Sequence, residues 1–150
     1  MSVGTRIKNQ IRFTILSLNE NIGFARAAAA AFAAQVDLTL TEIDEIKVAV
    51  SEAVSNAVIH GYGVDNQQDN YIELIMVLYS DKLEFTVLDR GRGIANIEEA
   101  RQPSFSSDPE RMGLGFVFME SFMDELEIKS EIKQGTTVRM AKMLAPITEH

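Results

Sequence analysis

Residues 71–89, YIELIMVLYSDKLEFTVLD, hold two runs of β-branched, aromatic and aliphatic residues with only Ser80 and Asp81 between them. Strands joined by so short a turn pair antiparallel with each other, so this segment predicts a hairpin and commits the chain to a sheet. The apolar run Leu74–Leu78 is nearly continuous, which suits a central strand covered on both faces. The remaining elements have to pack around that hairpin.

Upstream, residues 11–18 (IRFTILSL) alternate Ile11, Phe13 and Ile15 against Arg12 and Thr14, the period of another strand. ENIGFARAAAAAFAAQV is dominated by alanine, the best helix former, and predicts a helix with Phe24, Ala28, Ala31 and Phe32 on one face. Thr39 and Glu42 form a capping box for a second helix. Its apolar stripe is Ile43, Ile46, Val50, Ala53, Val54 and Ala57, and Gly61 is its stop.

Downstream of the hairpin the periodicity dissolves from Arg90 to Met112. Apart from a short helix at NIEEARQ, this reads as a lid over about 94–112. GLGFVFMESFM restarts a helix, and ELEIKS and TTVRMAKML close the chain as a hairpin around EIKQG. The order strand, helix, helix, hairpin, lid, helix, hairpin predicts an α/β two-layer sandwich. Its sheet is mixed and mostly antiparallel with helices on one face, in one domain over 1–150 with its core at about 10–144.

A net charge of −8 argues against a protein that binds nucleic-acid backbone directly. Residues 1–36 carry +3, which leaves −11 on residues 37–150. The absence of cysteine excludes disulfides, thiolate metal sites and a thiol nucleophile. With no membrane-length apolar run and no signal-peptide core at the N-terminus, a soluble cytoplasmic protein is expected.

Four constellations could carry chemistry. Glu52 and Asn56 stand at i, i+4 in SEAVSNAVIHG, one turn apart on a helix with His60 a turn beyond. A carboxylate there can activate a hydroxyl and a carboxamide oxygen can bind Mg²⁺; a solvated polar face is the structural alternative. Asp89, Gly91 and Gly93 follow a strand, where the glycines let backbone approach a ligand that hydrogen-bonds the carboxylate; a plain turn would need the same residues. Gly113, Leu114 and Gly115 open a predicted helix whose bare N–H groups would suit phosphate, with Arg111 just upstream as a pairing cation or an exposed lid residue. Gly135-Thr136-Thr137 reads equally well as a turn into a β-branched strand.

In this order and spacing, E-x-x-x-N, D-x-G-x-G, a lid, G-x-G and G-T-T resemble the gyrase/histidine-kinase ATPase superfamily and its Bergerat-type ATP-binding fold. NxxFAR, SEAVSNAVIHGY, EEARQPSF, GLGF with MESFMDE, and QGTTVRM are similar more narrowly to the sporulation anti-sigma F factor family of serine-protein kinases. That resemblance implies ATP or ADP with Mg²⁺, Glu52 as general base and Asn56 as the metal ligand. It implies Asp89, Gly91, Gly93 and Thr136 around adenine, and Arg111, Gly113, Leu114 and Gly115 around the phosphates. Arg26 would lie on a partner-binding surface, though its stem could equally pack along the alanine helix with a solvated head.

The implied partners are a sigma factor and an anti-anti-sigma protein carrying the substrate serine, with a homodimer built through the first strand and helix. The acidic surface suits a partner with basic faces. Alternatives are a non-catalytic nucleotide-gated binding module and a simple ATPase.

Overall fold

A computed structural model describes residues 6–61, 70–94, 96–101 and 109–145, the side chains at 99, 100 and 109–112 excepted. In chain order the elements are β1 (Ile7–Leu16), α1 (Glu20–Ala33), α2 (Leu40–Asn56, extended by a π turn, Ala57–Gly61), β2 (Tyr71–Tyr79), β3 (Lys82–Asp89), α3 (Ile97–Ala100), α4 (Pro109–Phe122), β4 (Glu125–Glu131) and β5 (Gly135–Met143). The strands form one sheet in the order β1-β2-β3-β5-β4, antiparallel at every described pairing.

The hairpin lies at the centre of that sheet. Leu74 pairs with Val87, Met76 with Phe85 and Ile72 with Asp89, and β5 continues these rungs through Val138, Met140 and Thr136. Side chains on these rungs alternate between faces, and the face that holds these residues is the buried one. α1, α2 and α4 cover it, with Ile46, Val50, Val54, Phe116 and Met119 among the fully buried contributors. Phe32 of α1 meets Phe85 edge-on, with ring centroids 6.3 Å apart.

Among the described residues no helix covers the opposite sheet face, which carries ion pairs, Arg139 with Glu84 and Glu125, and Arg12 with Glu73. Burial of the run Leu74–Leu78 on both faces is therefore only partial: Val77 is buried, Ile75 half-buried.

The capping box forms as expected: the Glu42 N–H donates to Thr39 Oγ1 at 3.1 Å and the Thr39 N–H donates to Glu42 Oε1 at 3.0 Å. Helix α1 turns a different face inward from the one its aromatics suggest. Ala25, Ala29, Phe32 and Ala33 are buried, while Phe24 is 60 % exposed and lies edge-on to Phe13. Small alanines let α1 close against α2, and the bulkier Phe24 is the residue that geometry leaves out.

Two boundaries also move. β1 begins at Ile7 rather than Ile11, so Lys8, Asn9 and Gln10 belong to the edge strand. α4 begins at Pro109, four residues before Gly113, because proline suits the first helical position and Glu110 follows it in the first turn. Of the expected lid, residues 95 and 102–108 lie outside the described residues, and 109–112 are helix.

Candidate functional site

The site is built on one rung of the sheet. Ile72, Asp89, Thr136 and Ser130 stand abreast on β2, β3, β5 and β4. Asp89 is buried, and its carboxyl is pushed above the ordinary value by burial. Backbone N–H groups of Gly91 and Thr136 pull it partly back, Gly91 donating to Oδ1 at 2.9 Å. A buried carboxyl with donors on one side has acceptor capacity left for a ligand on the other.

The end of α2 closes against this carboxyl. A Cβ on Gly61 would stand 2.9 Å from the Asp89 Cγ, and one on Gly91 would overlap the Gly61 carbonyl, whose oxygen accepts from the Arg92 N–H at 2.8 Å. Gly91 thus supports the cavity from behind. Gly93 has φ +75° and presses against the Glu131 carbonyl, so a side chain there would meet both strain and backbone.

Around Asp89 a mostly apolar cavity is lined by Asn56, Gly93 and Thr136, by Ala53, Ala57 and His60 from the α2 stripe, and by Val87, Ile94, Phe116 and Val138. It has about 20 Å³ of free space, room for roughly one water, with Phe116 of α4 forming part of its wall. Asn56, Asp89, Gly93 and Thr136 are therefore brought together as expected. The apolar walls carried no motif, although Ala53, Ala57 and His60 recur at helical spacing around Asn56 and Phe116 follows Gly115.

At the other end of the cleft, Glu52 and Asn56 face α4. A Cβ on Gly115 would meet Glu52 Oε2 at 2.9 Å and Asn56 Nδ2 at 3.4 Å, so the bare glycine lets the helix sit on this pair. Asn56 Nδ2 is buried and finds no hydrogen-bond partner among the described residues. An early start to α4 changes the reading of Gly113, Leu114 and Gly115. They lie inside the helix, where N–H groups are already within the i−4 ladder, and the bare N–H positions fall on the preceding turn. Leu114 points outward, 47 % exposed. The Arg111 side chain lies outside what the structure describes.

Glu52 also lines a second cavity on the far side of α2, about 310 Å³, with Arg26, Asp44, Lys47, Val48 and Ser51. Arg26 reaches across from α1 and its Nε donates to Ser51 Oγ at 2.7 Å, while Ser51 donates back to the Lys47 carbonyl at 2.6 Å. Its Nε is therefore held on α2, while the residue as a whole stays exposed. This second cavity was not anticipated, yet Asp44, Lys47, Val48, Ser51 and Glu52 fall at i, i+3, i+4, i+7 and i+8 of one helix face.

A sheet backed by helices, with a buried carboxyl at the end of a central strand, is the arrangement of a known ATPase class. The family model described as the Histidine kinase-like ATPase domain matches residues 15–142, so the chain carries that domain. Among solved structures, the RsbU and RsbW domains of Rv1364c from Mycobacterium tuberculosis align with TM-score 0.65 at 21% identity, over 93% of this chain and 34% of that one. The Erythrobacter litoralis EL346 blue-light activated histidine kinase aligns at 0.56 and 21%, over 83% and 41%. Both are likenesses of fold.

Sequence similarity goes further. An Anti-sigma F factor from Geobacillus thermodenitrificans (strain NG80-2) is 49% identical over 142 residues, covering 93% of this chain and 95% of the relative. One from Clostridium perfringens (strain SM101 / Type A) is 48% identical over 138 residues, covering 91% and 97%. The chain belongs to the anti-sigma F factor family.

An ATPase domain of this class binds nucleotide, and the residues present fit one: a buried acceptor at Asp89, apolar walls for a base, and an unpartnered Asn56 Nδ2 facing the glycine cradle of α4. Among the described residues no cluster of three or more His, Cys, Asp or Glu could hold a metal. Asn56 Oδ1 and the Glu52 carboxylate, both facing Gly115, are side-chain oxygens here that could hold a cation.

Proposed function

We propose that this chain is an ATP-dependent serine-protein kinase that phosphorylates an anti-anti-sigma protein and also binds and inhibits a sigma factor. The observation that carries the reading is the place of Glu52, which lines a polar cavity beside Arg26 and faces Gly115 together with Asn56, a wall residue of the cavity suited to a base. A general base for phosphoryl transfer has to reach both the nucleotide and an incoming hydroxyl; Glu52 lines the polar cavity and lies one helical turn from Asn56, which lines the other.

Adenine occupies the cavity around Asp89, with Gly93 and Thr136 beside it and Gly91 shaping its wall. Asn56 would hold Mg²⁺, which when bound neutralises phosphate charge. Arg111, Gly113, Leu114 and Gly115 at the head of α4 are assigned to the phosphates, which requires the start of that helix to open. As the acceptor serine oxygen bonds to the γ-phosphorus, its proton passes to the Glu52 carboxylate. The bond to the bridging oxygen then breaks and ADP leaves.

Arg26 forms part of the protein-binding face, and two copies associate across the outer edge of β1, where Ile7 and Ile11 stay exposed. The protein works in the cytoplasm and no helix of the described residues is long and apolar enough to cross a membrane.

A second reading has its own observation: α4 packs on Glu52 at Gly115 and adds Phe116 to the cavity wall, a contact that a nucleotide-gated binding module without catalysis could use. Incubation with γ-labelled ATP and a serine-bearing anti-anti-sigma partner separates the two. Label on the partner serine supports the kinase; free phosphate alone indicates an ATPase; neither, with nucleotide-dependent partner binding, indicates the gated module.

A further inference from the structure

One hydroxyl outside the motifs joins three parts of the nucleotide cavity. Ser130, on β4, lies opposite Thr136 in register, half-buried behind the cavity. Its Oγ is 2.7 Å from the Ile94 N–H, 2.8 Å from Thr136 Oγ1 and 3.1 Å from the Gly135 carbonyl oxygen. Ile94 and Thr136 both line the cavity.

A serine hydroxyl has one proton to give and two lone pairs with which to accept. The Ile94 N–H can only donate and the Gly135 carbonyl can only accept. Ser130 therefore accepts from Ile94 and donates to Gly135. For the third contact to be a hydrogen bond as well, Thr136 must donate to Ser130. All three bonds coexist in this arrangement and in no other. Thr136 has then spent its only proton, so toward anything in the cavity its oxygen can only accept. Its neighbour on the rung, the Asp89 carboxylate, also only accepts when ionised.

We propose, resting on the nucleotide reading above, that Ser130 is a positioning residue for base recognition. By fixing the Thr136 proton it makes the polar end of the cavity acceptor-only, and so favours a purine with an exocyclic amine over its keto counterpart. The amine brings donors to two acceptors; a carbonyl in its place sets oxygen against oxygen in a desolvated site. Without the Ser130 oxygen, Thr136 regains a proton it can turn toward a carbonyl, and the Ile94 N–H loses its acceptor.

The test compares ATP with inosine triphosphate, which carries a carbonyl where adenine has its amine. Dissociation constants are measured by titration calorimetry with Mg²⁺ for the full chain and for Ser130→Thr, Ser130→Val and Ser130→Ala. Threonine and valine have the same shape, so any packing effect on β4 is shared between them and only the hydroxyl differs.

The wild-type chain is expected to prefer ATP by at least about tenfold, and Ser130→Thr to keep that ratio. Ser130→Val and Ser130→Ala should bring it to about threefold or below. Two results overturn the assignment alone: an unchanged ratio in all three variants, or equal weakening for both nucleotides in Ser130→Val. Wild-type protein that binds neither nucleotide overturns the reading of the cavity, and the role of Ser130 with it.

Discussion

The two cavities that flank α2 differ in size, in lining and in what a ligand must do to enter. One is apolar apart from Asp89, Asn56, His60 and Thr136, has about 20 Å³ of free space and takes Phe116 of α4 into its wall. The other offers about 310 Å³, with Arg26, Asp44, Lys47 and Glu52 around it. Phe116 of α4 forms part of the wall of the first, so a base that enters it would meet that helix. The second is lined by charged side chains, with an arginine already held by Ser51. Glu52 lines the second and Asn56, one turn along α2, lines the first, so substitutions around them should separate the two.

The largest effect is expected at Glu52 itself. Glutamine keeps the size and helix propensity of glutamate but cannot take a proton, so Glu52→Gln should lose roughly 10²- to 10⁴-fold in phosphorylation rate while ATP affinity holds. A wild-type rate on the partner serine would show that the wall between the cavities is not where the chemistry happens. Asp89→Asn strikes the closed cavity alone. An amide can present a donor where the carboxylate accepts, and affinity should fall about ten- to hundredfold. Calorimetry showing unchanged ATP binding would make Asp89 a turn residue.

These two residues also mark what could be read from the chain alone. The hairpin, the capping box and the stripe of α2 announce themselves because half-buried elements alternate polar with apolar at a fixed period. Asp89 and Thr136 could be singled out one by one. That they share a rung follows only from the pairing of β3 with β5, which no local pattern records.

Where the reading failed, the contrast was missing. Alanine all round α1 hides which side faces in, and Lys8, Asn9 and Gln10 show no alternation because an edge strand exposes both faces. Pro109 looks like loop until it is seen to start a helix. The second cavity needs two helices at once, and neither carries its outline.

A smaller effect is expected where α4 meets Glu52. A Cβ at Gly115 would meet only the tip of a flexible side chain, so Gly115→Ala should fold and gain about 0.5–1 kcal/mol in helix stability. The displaced carboxylate should cost about tenfold in turnover. A more stable variant with full activity would mean that α4 does not approach Glu52 in the reacting state. On the other side, Arg26→Glu should weaken partner binding by roughly fivefold and leave ATP affinity alone, since Arg26 does not line the closed cavity. Equal partner affinity in surface plasmon resonance would return Arg26 to a solvated face.

The smallest effect concerns pH, and it reports on the closed cavity before any ligand arrives. Burial raises the Asp89 carboxyl above its ordinary 3.8, with the N–H groups of Gly91 and Thr136 opposing. A group with a raised folded pKa binds its proton more tightly in the folded chain. Its contribution to stability is fully present below the unfolded pKa and is lost as pH rises through the folded one. Asparagine never ionises, so Asp89→Asn escapes that loss. Without nucleotide, the unfolding midpoint of the variant should gain on that of the wild type as pH rises from below 3.8 toward neutrality. Other titrating groups are common to both proteins and cancel in the difference. Saturating ATP should then reverse the order at neutral pH, because ligand stabilises only the protein that binds it well. A midpoint difference that is flat across pH would show that burial does not penalise Asp89, and one that ATP leaves untouched would show that the nucleotide does not use it.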